Sequence, residues 1–432
     1  MSREIEYIKI SMEEKKSGLT SLMGGDHWLW GVYTILVFIS IVELFSASSR
    51  LAYRELTNDN PLMRHTTFLA VGFFIFGLGL QSLTRANIKW VKLFGLGCYI
   101  GGVVLMILMP FFGRRINGAV RDIWGVQPIE LCKLGLIIVL CMAISATNSD
   151  YHQWSWFRRK TELRRYILLL FLIALVAGLI VLQNLSSALI IGFTALGIMF
   201  VGEVKGKYLL RTIITIAVMS GLFIGVLFGL HTFNRSQEEG GGAHHTDLGA
   251  FSRANVWEQR IFDGSSVPLW EQKINDDNMQ VMYAHMAIAN SNVIGRFVGE
   301  SQLRDHLPEA YSDYIYAIIF EELGVEGAAL VMLLYFILMW RCYRVSKKTK
   351  DPFKRLIMIG IPLMLLIQAL IHIGVCTDAM FVTGQPLPLI SRGGMGILST
   401  SACFGILFGV SHTILREEKS RLTIEKPDNL EG

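Results

Sequence analysis

The stretch YILLLFLIALVAGLIVLQNLSSALIIGFTALGIMFV, residues 166–201, consists of two long apolar runs separated by Gln183 and Asn184. Each run is about long enough for an α-helix to cross a hydrocarbon core roughly 30 Å thick. Two residues between them leave room only for a turn. The stretch therefore predicts a tight hairpin of two antiparallel transmembrane helices.

Similar apolar runs recur along the whole chain, in which 52% of residues are hydrophobic and 17% are charged. Soluble domains carry closer to a quarter charged residues. We expect ten spans, near 28–47, 66–84, 93–112, 128–147, 165–182, 185–202, 208–231, 311–340, 356–378 and 395–415. The fold class is thus an all-α polytopic membrane protein, with one membrane domain over 1–432. The basic residues lie in short loops between spans, which argues against a nucleic-acid partner.

The distribution of Lys and Arg predicts the orientation, because cytoplasmic loops are enriched in basic residues. With a cytoplasmic N-terminus, the inside segments hold twice as many Lys and Arg residues as the outside segments, although the outside segments are longer. Both termini are therefore predicted to be cytoplasmic, with tails over 1–27 and 416–432. Residues 232–310 form one long extracytoplasmic loop between helices seven and eight. The expected location is the cytoplasmic (inner) membrane.

The long outer loop divides into two parts. It begins with the polar, Gly-rich stretch NRSQEEGGGAHH at 234–245, which is typical of a mobile linker. Further on, apolar residues recur at helical spacing, namely Met279, Met282, Tyr283, Met286 and Val293. They predict an amphipathic helix on the outer leaflet of the membrane, and an ordinary packed loop helix is a compatible alternative.

Charged residues in or beside spans carry the functional information, because they usually face a protein interior or a water-filled cavity. The stretch NGAVRDIWGVQPIELCK at 117–133 places Glu130 and Lys133 on one helix face, where they can pair. Arg121 lies in the preceding outer loop. The pair either fixes helix packing or forms a charged wall that binds an anionic head group.

A second group of charges lies in LPEAYSDYIYAIIFEELG at 307–324. Its proline indicates a helix start, so that Glu309 and Asp313, four residues apart, share a face at the outer boundary. Two further glutamates follow. The span either begins near Tyr311 or follows a separate outer helix that breaks near Gly324. The carboxylates are either solvated at the interface or part of a site.

A third group is the outer loop VTGQPLPLISRGGMG at 382–396, which leads into the last span. Exposed backbone N–H groups at a helix N-terminus can bind an anion, and Arg392 favours that interpretation over a plain turn. All three groups are outside, which predicts an outward-facing polar cavity. Walker A, GxGxxG and HExxH motifs do not occur in the sequence. A substrate of this site is therefore already outside the cell, and we expect it to be lipid-anchored.

These stretches resemble the motifs of the SEDS family of peptidoglycan polymerases (FtsW, RodA and SpoVE). NGAVRDIWGVQPIELCK at 117–133 is similar to the family motif NGAxRW…QPSExxK. GRFVGESQLRDHLPEAYSDYIYAIIFEELG at 295–324 is similar to GxGxGxSxxK…LPEAHTDFIFAxxxEELG, and TGQPLPLISRGGMG at 383–396 is similar to TGxxLPFISYGGSS. The resemblance covers nearly the whole chain, including the ten-span layout, and looks closest to FtsW.

The resemblance implies that the chain joins lipid II units into glycan strands and releases undecaprenyl pyrophosphate, by an inverting glycosyl transfer. Asp313 matches the family's essential aspartate, and its chemistry suits a general base. The positions implied to bind or shape the substrate and its pyrophosphate are Arg121, Glu130, Lys133, Ser301, Arg304, Glu309, Ser391, Arg392, Gly393 and Gly394. No dedicated protein metal site is visible. A divalent cation, Mg²⁺ or Mn²⁺, would be bound by the pyrophosphate.

The chain departs from the family pattern at Asp122, Ile129, Asn184, Phe297, Arg304, His372 and Arg392, where the family usually has tryptophan, serine, aspartate, glycine, lysine, asparagine and tyrosine. These departures affect the fine shape of the pyrophosphate site. The aspartate and the Glu130–Lys133 pair are kept.

The family also implies a partner, a class B penicillin-binding protein with transpeptidase activity, within the division or elongation machinery. Two other functions fit the charges in the spans: a lipid II flippase or transporter, and a noncatalytic scaffold for that transpeptidase. A carrier should also have polar residues along a path to the cytoplasmic side, whereas the acids and bases of this sequence cluster outside.

Overall fold

The computed structural model describes residues 24–47, 61–116, 119–148, 162–181, 184–218, 221, 225, 274, 278–307, 310–380 and 384–425. The helices are α1 (His27–Ala47), α2 (Pro61–Val71), α3 (Leu80–Ala86), α4 (Lys89–Phe112), α5 (Pro128–Asn148), α6 (Glu162–Val181), α7 (Leu185–Val201), α8 (206–218), α9 (Met279–Ala289), α10 (Ile315–Ser346), α11 (Pro352–Cys376) and α12 (Gly394–Glu425). A π-helical segment, Gly72–Gly79, joins α2 to α3. An antiparallel hairpin, β1 (Arg114–Ile116) and β2 (Ala119–Asp122), lies between α4 and α5.

Eight stretches among these residues are long and apolar enough to cross a membrane. The α7 helix is apolar but shorter, and α8 covers the first part of the seventh predicted span. The all-α polytopic fold is therefore confirmed, and the number of ten spans stays a prediction. The predicted hairpin between α6 and α7 has a local cause: the Asn184 side chain accepts a hydrogen bond from Ser187 N at 3.2 Å and caps α7.

The centre of the bundle is formed by α5, α11 and α12, whose spans are 78%, 72% and 72% buried. The α4 and α6 spans are 28% buried and lie at its periphery. Small residues let a peripheral helix approach a central one closely, as is common in membranes. A Cβ added to Gly102 of α4 would lie 2.7 Å from Cys132 Sγ of α5, so this crossing leaves no room for a larger residue.

The α10 helix is broken at Gly324, which has a φ of 70° and a ψ of −172°. Residues 292–297 fill the break and satisfy its backbone groups. Arg296 N and Phe297 N donate to Glu321 O and Glu322 O at 3.0 and 2.9 Å, and two bonds run from the lower half of α10 to Asn292 O and Val293 O. Of the two arrangements left open by the sequence, the structure has an outer helix that breaks near Gly324.

Two element boundaries differ from those expected. The α9 helix ends at Ala289, so Val293 lies in the following loop, and α9 packs against α10 with Met282 and Ala284 buried. The α12 helix continues to Glu425, into the predicted tail, because Glu417 and Glu418 pair with Lys354 and Lys348. The predicted linker at 234–245 lies outside the described residues.

Candidate functional site

The loop at residues 384–393 is held by side chains from several helices that donate hydrogen bonds to its carbonyl groups. Tyr335 OH donates to Pro388 O at 2.6 Å, and Ser40 Oγ donates to Ile390 O at 3.2 Å. From α11, Gln368 Nε2 donates to Pro386 O at 2.9 Å and His372 Nδ1 donates to Gln385 O at 2.7 Å. These bonds fix the backbone of a loop that has no regular secondary structure.

The 384–393 loop in turn holds the residues around Asp313. Ser391 Oγ donates to Ser312 O at 2.7 Å, and Arg392 N donates to Tyr311 O at 2.9 Å. Residues 310–314 are a turn, and α10 begins only at Ile315. Asp313 was expected on a helix, but it lies in this turn, whose backbone is bound to the loop. The predicted face shared with Glu309 falls outside the described residues.

The Asp313 carboxylate is half-buried and lies against the 384–393 loop. Ser312 Oγ donates to its Oδ1 at 2.9 Å. A Cβ on Gly384, which has a φ of 58°, would lie 3.2 Å from its Oδ2, so glycine suits both the backbone and the available space. Asp313 forms no ion pair with a basic residue of the described ranges. An unpaired, partly accessible carboxylate of this kind is able to accept a proton.

Lys133 is 1% exposed and is the most deeply buried of the predicted site's charged residues that the structure describes. Its Nζ lies 2.6 Å from Glu130 Oε1, one turn away on α5, as the sequence spacing predicts. It also donates to Gln368 Oε1 of α11 at 3.2 Å. A buried charge requires such partners, since an unpaired one is costly.

The acidic and basic parts of the site therefore meet on one loop. Gln368 connects Lys133 to Pro386, and a few residues on, Ser391 and Arg392 bind the turn that carries Asp313. The predicted groups at 307–324 and 382–396 thus lie together. Gln368 joins them to the group at 117–133, which contains Lys133.

The remaining predicted residues are distributed unevenly. The Arg392 guanidinium lies 4.8 Å from the ring centre of Tyr311. Gly394 packs against the Phe68 ring, where a Cβ would lie 2.7 Å from Cζ, whereas Gly393 has open space around it. Arg121 belongs to strand β2, but its side chain lies outside the described part of the structure, as does all of Glu309.

Ser301 and Arg304 lie in a separate cluster around the carboxylates of α10. Ser301 Oγ donates to Glu321 Oε2, and Arg304 Nη1 lies 3.8 Å from Glu322 Oε1. Arg304 also donates to Ser46 Oγ of α1, which donates to Glu322. These contacts join α1, α10 and the segment that precedes α10. Within the described residues, these contacts do not connect Ser301 or Arg304 to Lys133 or to the Asp313 carboxylate.

The sequence interpretation missed two buried polar residues. Gln368 joins the two parts of the site. Glu43 of α1 is fully buried and lies close enough to Glu322 for the two carboxyl groups to interact electrostatically. Both stand inside strongly apolar spans. A polar side chain in such a span is the signal that would have identified them.

Metal ligands are not gathered anywhere in the described part of the chain, where no three or more His, Cys, Asp or Glu side chains come together to hold a metal ion. The six cysteines are buried free thiols. Among the described residues, the charged side chains near the 384–393 loop and its Gln368 partner are Asp313, Lys133, Glu130 and Arg392.

Comparison with known sequences gives a consistent result. The family model for the FtsW, RodA and SpoVE cell cycle proteins matches residues 26–415. A probable peptidoglycan glycosyltransferase FtsW of Geobacter metallireducens is 26% identical over 383 residues, covering 87% of this chain and 92% of the relative. The corresponding protein of Haemophilus influenzae is 27% identical over 405 residues and covers 90% of each chain.

Solved structures with the same fold exist. A chain from a peptidoglycan synthase complex, described as coordinating polymerization and crosslinking, has a TM-score of 0.61 at 21% identity and covers 90% of this chain and 98% of that one. The rod shape determining protein RodA of Thermus thermophilus has a TM-score of 0.55 at 21% identity, with 90% and 97% coverage. At this identity the likeness concerns the fold.

Proposed function

Because the chain belongs to the FtsW, RodA and SpoVE family of cell cycle proteins, we propose that it is a peptidoglycan glycosyltransferase. It joins lipid II units into glycan strands at the outer face of the cytoplasmic membrane and releases undecaprenyl pyrophosphate. The relatives named above carry the name of this activity.

One structural observation carries the proposal: a single fixed loop contacts both an unpaired carboxylate and the network of a buried ammonium group. Gly384 lies against Asp313, and Pro386 is bound to Gln368, the partner of Lys133. Glycosyl transfer from a pyrophosphate donor needs both groups, a base for the attacking hydroxyl and positive charge for the leaving group.

In the proposed reaction, Asp313 accepts the proton of the acceptor's 4-hydroxyl group. The hydroxyl oxygen forms a bond to the anomeric carbon of the donor as the bond from that carbon to the pyrophosphate oxygen breaks. The electron pair of the broken bond leaves with undecaprenyl pyrophosphate. Attack from the side opposite the leaving group inverts the anomeric configuration.

Lys133 stabilises the negative charge that develops on the pyrophosphate. Its charge acts in a buried, low-dielectric environment, where a fixed donor is more effective than in water. Glu130 holds the ammonium group in place. Arg392, beside Tyr311, adds positive charge. Arg121, on strand β2, matches a family position implied to bind the pyrophosphate. A divalent cation, if used, would be bound by the pyrophosphate oxygens.

We further propose that the chain works with a class B penicillin-binding protein in cell division, beside other membrane proteins of that machinery. The structural neighbour from a peptidoglycan synthase complex supports a transpeptidase partner, and the FtsW names of the relatives support the division role.

The test uses purified protein with its partner and labelled lipid II in vesicles. The expected products are glycan polymers and undecaprenyl pyrophosphate, with a new linkage of anomeric configuration opposite to that of the donor. Transfer of lipid II between leaflets without polymer would instead identify a transporter. Polymer made only by the partner would identify a scaffold.

A further inference from the structure

The amide group of Gln368 uses both of its ends inside the membrane domain. The side chain is 5% exposed. Its Oε1 accepts from Lys133 Nζ at 3.2 Å, and its Nε2 donates to Pro386 O at 2.9 Å. The orientation of the amide follows from its neighbours, because an ammonium group can only donate and a carbonyl group can only accept.

No other common side chain of this size fits the position as well. An ionised glutamate would offer an acceptor to Lys133 but no donor to Pro386, and methionine would offer no donor and only a weak sulfur acceptor. His372, one helical turn further along α11, donates to the neighbouring carbonyl of Gln385. One face of α11 thus binds two consecutive carbonyl groups of the 384–393 loop, which restricts where Gln368 Oε1 can lie.

The position of Oε1 in turn restricts the Lys133 ammonium group, which has three N–H donors. Glu130 and Gln368 occupy two of them. The third has no partner among the described residues, and in the proposed mechanism it is the one that donates to a phosphate oxygen. Glu130 lies on the same helix as Lys133 and fixes it only relative to α5, whereas Gln368 fixes it relative to the loop beside Asp313.

We propose that Gln368 is a positioning residue, which sets the Lys133 ammonium group in register with the 384–393 loop so that the pyrophosphate and the attacking hydroxyl are held at the correct separation. The inference rests on the proposed glycosyltransferase function. It assigns to an uncharged residue of α11 the coupling of the two halves of the site.

The experiment is a double-mutant cycle with Gln368→Met and Lys133→Met, in full-length protein with its partner. Two quantities are measured: the affinity for undecaprenyl pyrophosphate, and kcat and KM for lipid II polymerisation. Gln368→Met alone should weaken the affinity and lower kcat by about tenfold or more, the usual effect of losing a hydrogen bond to a charged group. In the Lys133→Met background it should have almost no further effect, since residues in one network are not additive.

Two further variants separate positioning from loop anchoring. Gln368→Glu keeps the acceptor for Lys133 but loses the bond to Pro386, and we expect a loss smaller than that of Gln368→Met. Ser187→Ala removes the bond from Gln385 Nε2 to Ser187 Oγ, which anchors the same loop without touching Lys133. Its effect should be the same with and without Lys133. If Gln368→Met does not fold, Gln368→Ala, which also removes both hydrogen bonds, replaces it in the cycle.

Equal losses from the Gln368 substitution in both Lys133 backgrounds would overturn the inference, because Gln368 would then act independently of Lys133. This outcome is distinguishable from failure of the proposed function. A wild-type protein that binds undecaprenyl pyrophosphate but makes no glycan contradicts the polymerase, while the binding cycle still decides the role of Gln368.

Discussion

Two irregular segments of the bundle, residues 384–393 and residues 292–297, are held in different ways. The 384–393 loop is fixed by side chains of α1, α10 and α11 that donate to its carbonyl groups. Residues 292–297 are fixed by backbone hydrogen bonds to the broken α10 helix at Gly324. The 384–393 loop depends on particular side chains. The pairing at 292–297 depends on the absence of a Cβ at Gly295 and Gly324, where an added Cβ would overlap backbone atoms.

The difference matters for function because only the first segment contacts both Asp313 and the Lys133 network. A loop held by separate side chains on separate helices transmits small shifts of those helices to the groups it contacts. A segment whose backbone is hydrogen-bonded to a helix break moves together with that helix. We therefore expect substitutions at the two segments to affect stability and activity in different proportions.

The largest effect on stability should come from Gly324→Ala. Its φ of 70° is unfavourable for a residue with a Cβ, and the added atom would overlap Val293 O and Gly295 N, both of them backbone atoms. A loss of about 4 kcal/mol or more is expected, which is typical of severe core defects. Thermal unfolding of the purified protein measures it.

Gly178→Ala is the matched control for that substitution. Gly178 lies within α6 and has open space around its Cβ position, so alanine should be neutral or stabilise the helix by up to about 1 kcal/mol. Similar destabilisation by both alanines would show that the backbone pairing at Gly324 has no special role.

Tyr335→Phe tests the side-chain-held loop and should have an intermediate effect. It removes a buried 2.6 Å hydrogen bond and leaves Pro388 O without that donor, at an expected cost of about 1–3 kcal/mol. Polymerisation should fall by a larger factor than stability alone explains, because the loop carries the contacts to Asp313. If the polymerisation rate per folded molecule of Tyr335→Phe equals that of the wild type, the loop does not position Asp313.

Ser40→Ala should have the smallest effect of the three. The Ser40 hydroxyl donates to Ile390 O over a longer distance, 3.2 Å, and receives a hydrogen bond from His65 Nε2 at 2.8 Å. A loss of about 0.5–1.5 kcal/mol is expected. A lowering of the unfolding midpoint greater than that of Tyr335→Phe would reverse the proposed order of the anchors.

Much of the fold follows from the sequence, because long apolar runs can be satisfied only as helices in a membrane. The Glu130–Lys133 contact follows too, since three-residue spacing on a helix fixes it. The start of α10 could not be predicted, because the turn at 310–314 is imposed by Ser391 and Arg392, about 80 residues later in the chain.

The association of Ser301 and Arg304 with Glu321 and Glu322 was equally hidden. The sequence motif places Ser301 and Arg304 near several carboxylates. It does not reveal that they contact Glu321 and Glu322 rather than Asp313. Gln368 escaped notice because its role depends on two partners on different elements, Lys133 of α5 and Pro386 of the loop.

The most direct test of the central claim is lipid II polymerisation by Asp313→Asn, compared with wild type at equal amounts of folded protein and with the partner bound. Asparagine keeps the shape of the side chain and can still accept the hydrogen bond from Ser312, but it is not a base. We expect kcat to fall by about 10²–10⁴-fold, with an unchanged unfolding midpoint and retained binding of undecaprenyl pyrophosphate. Polymerisation at the wild-type rate would contradict this expectation.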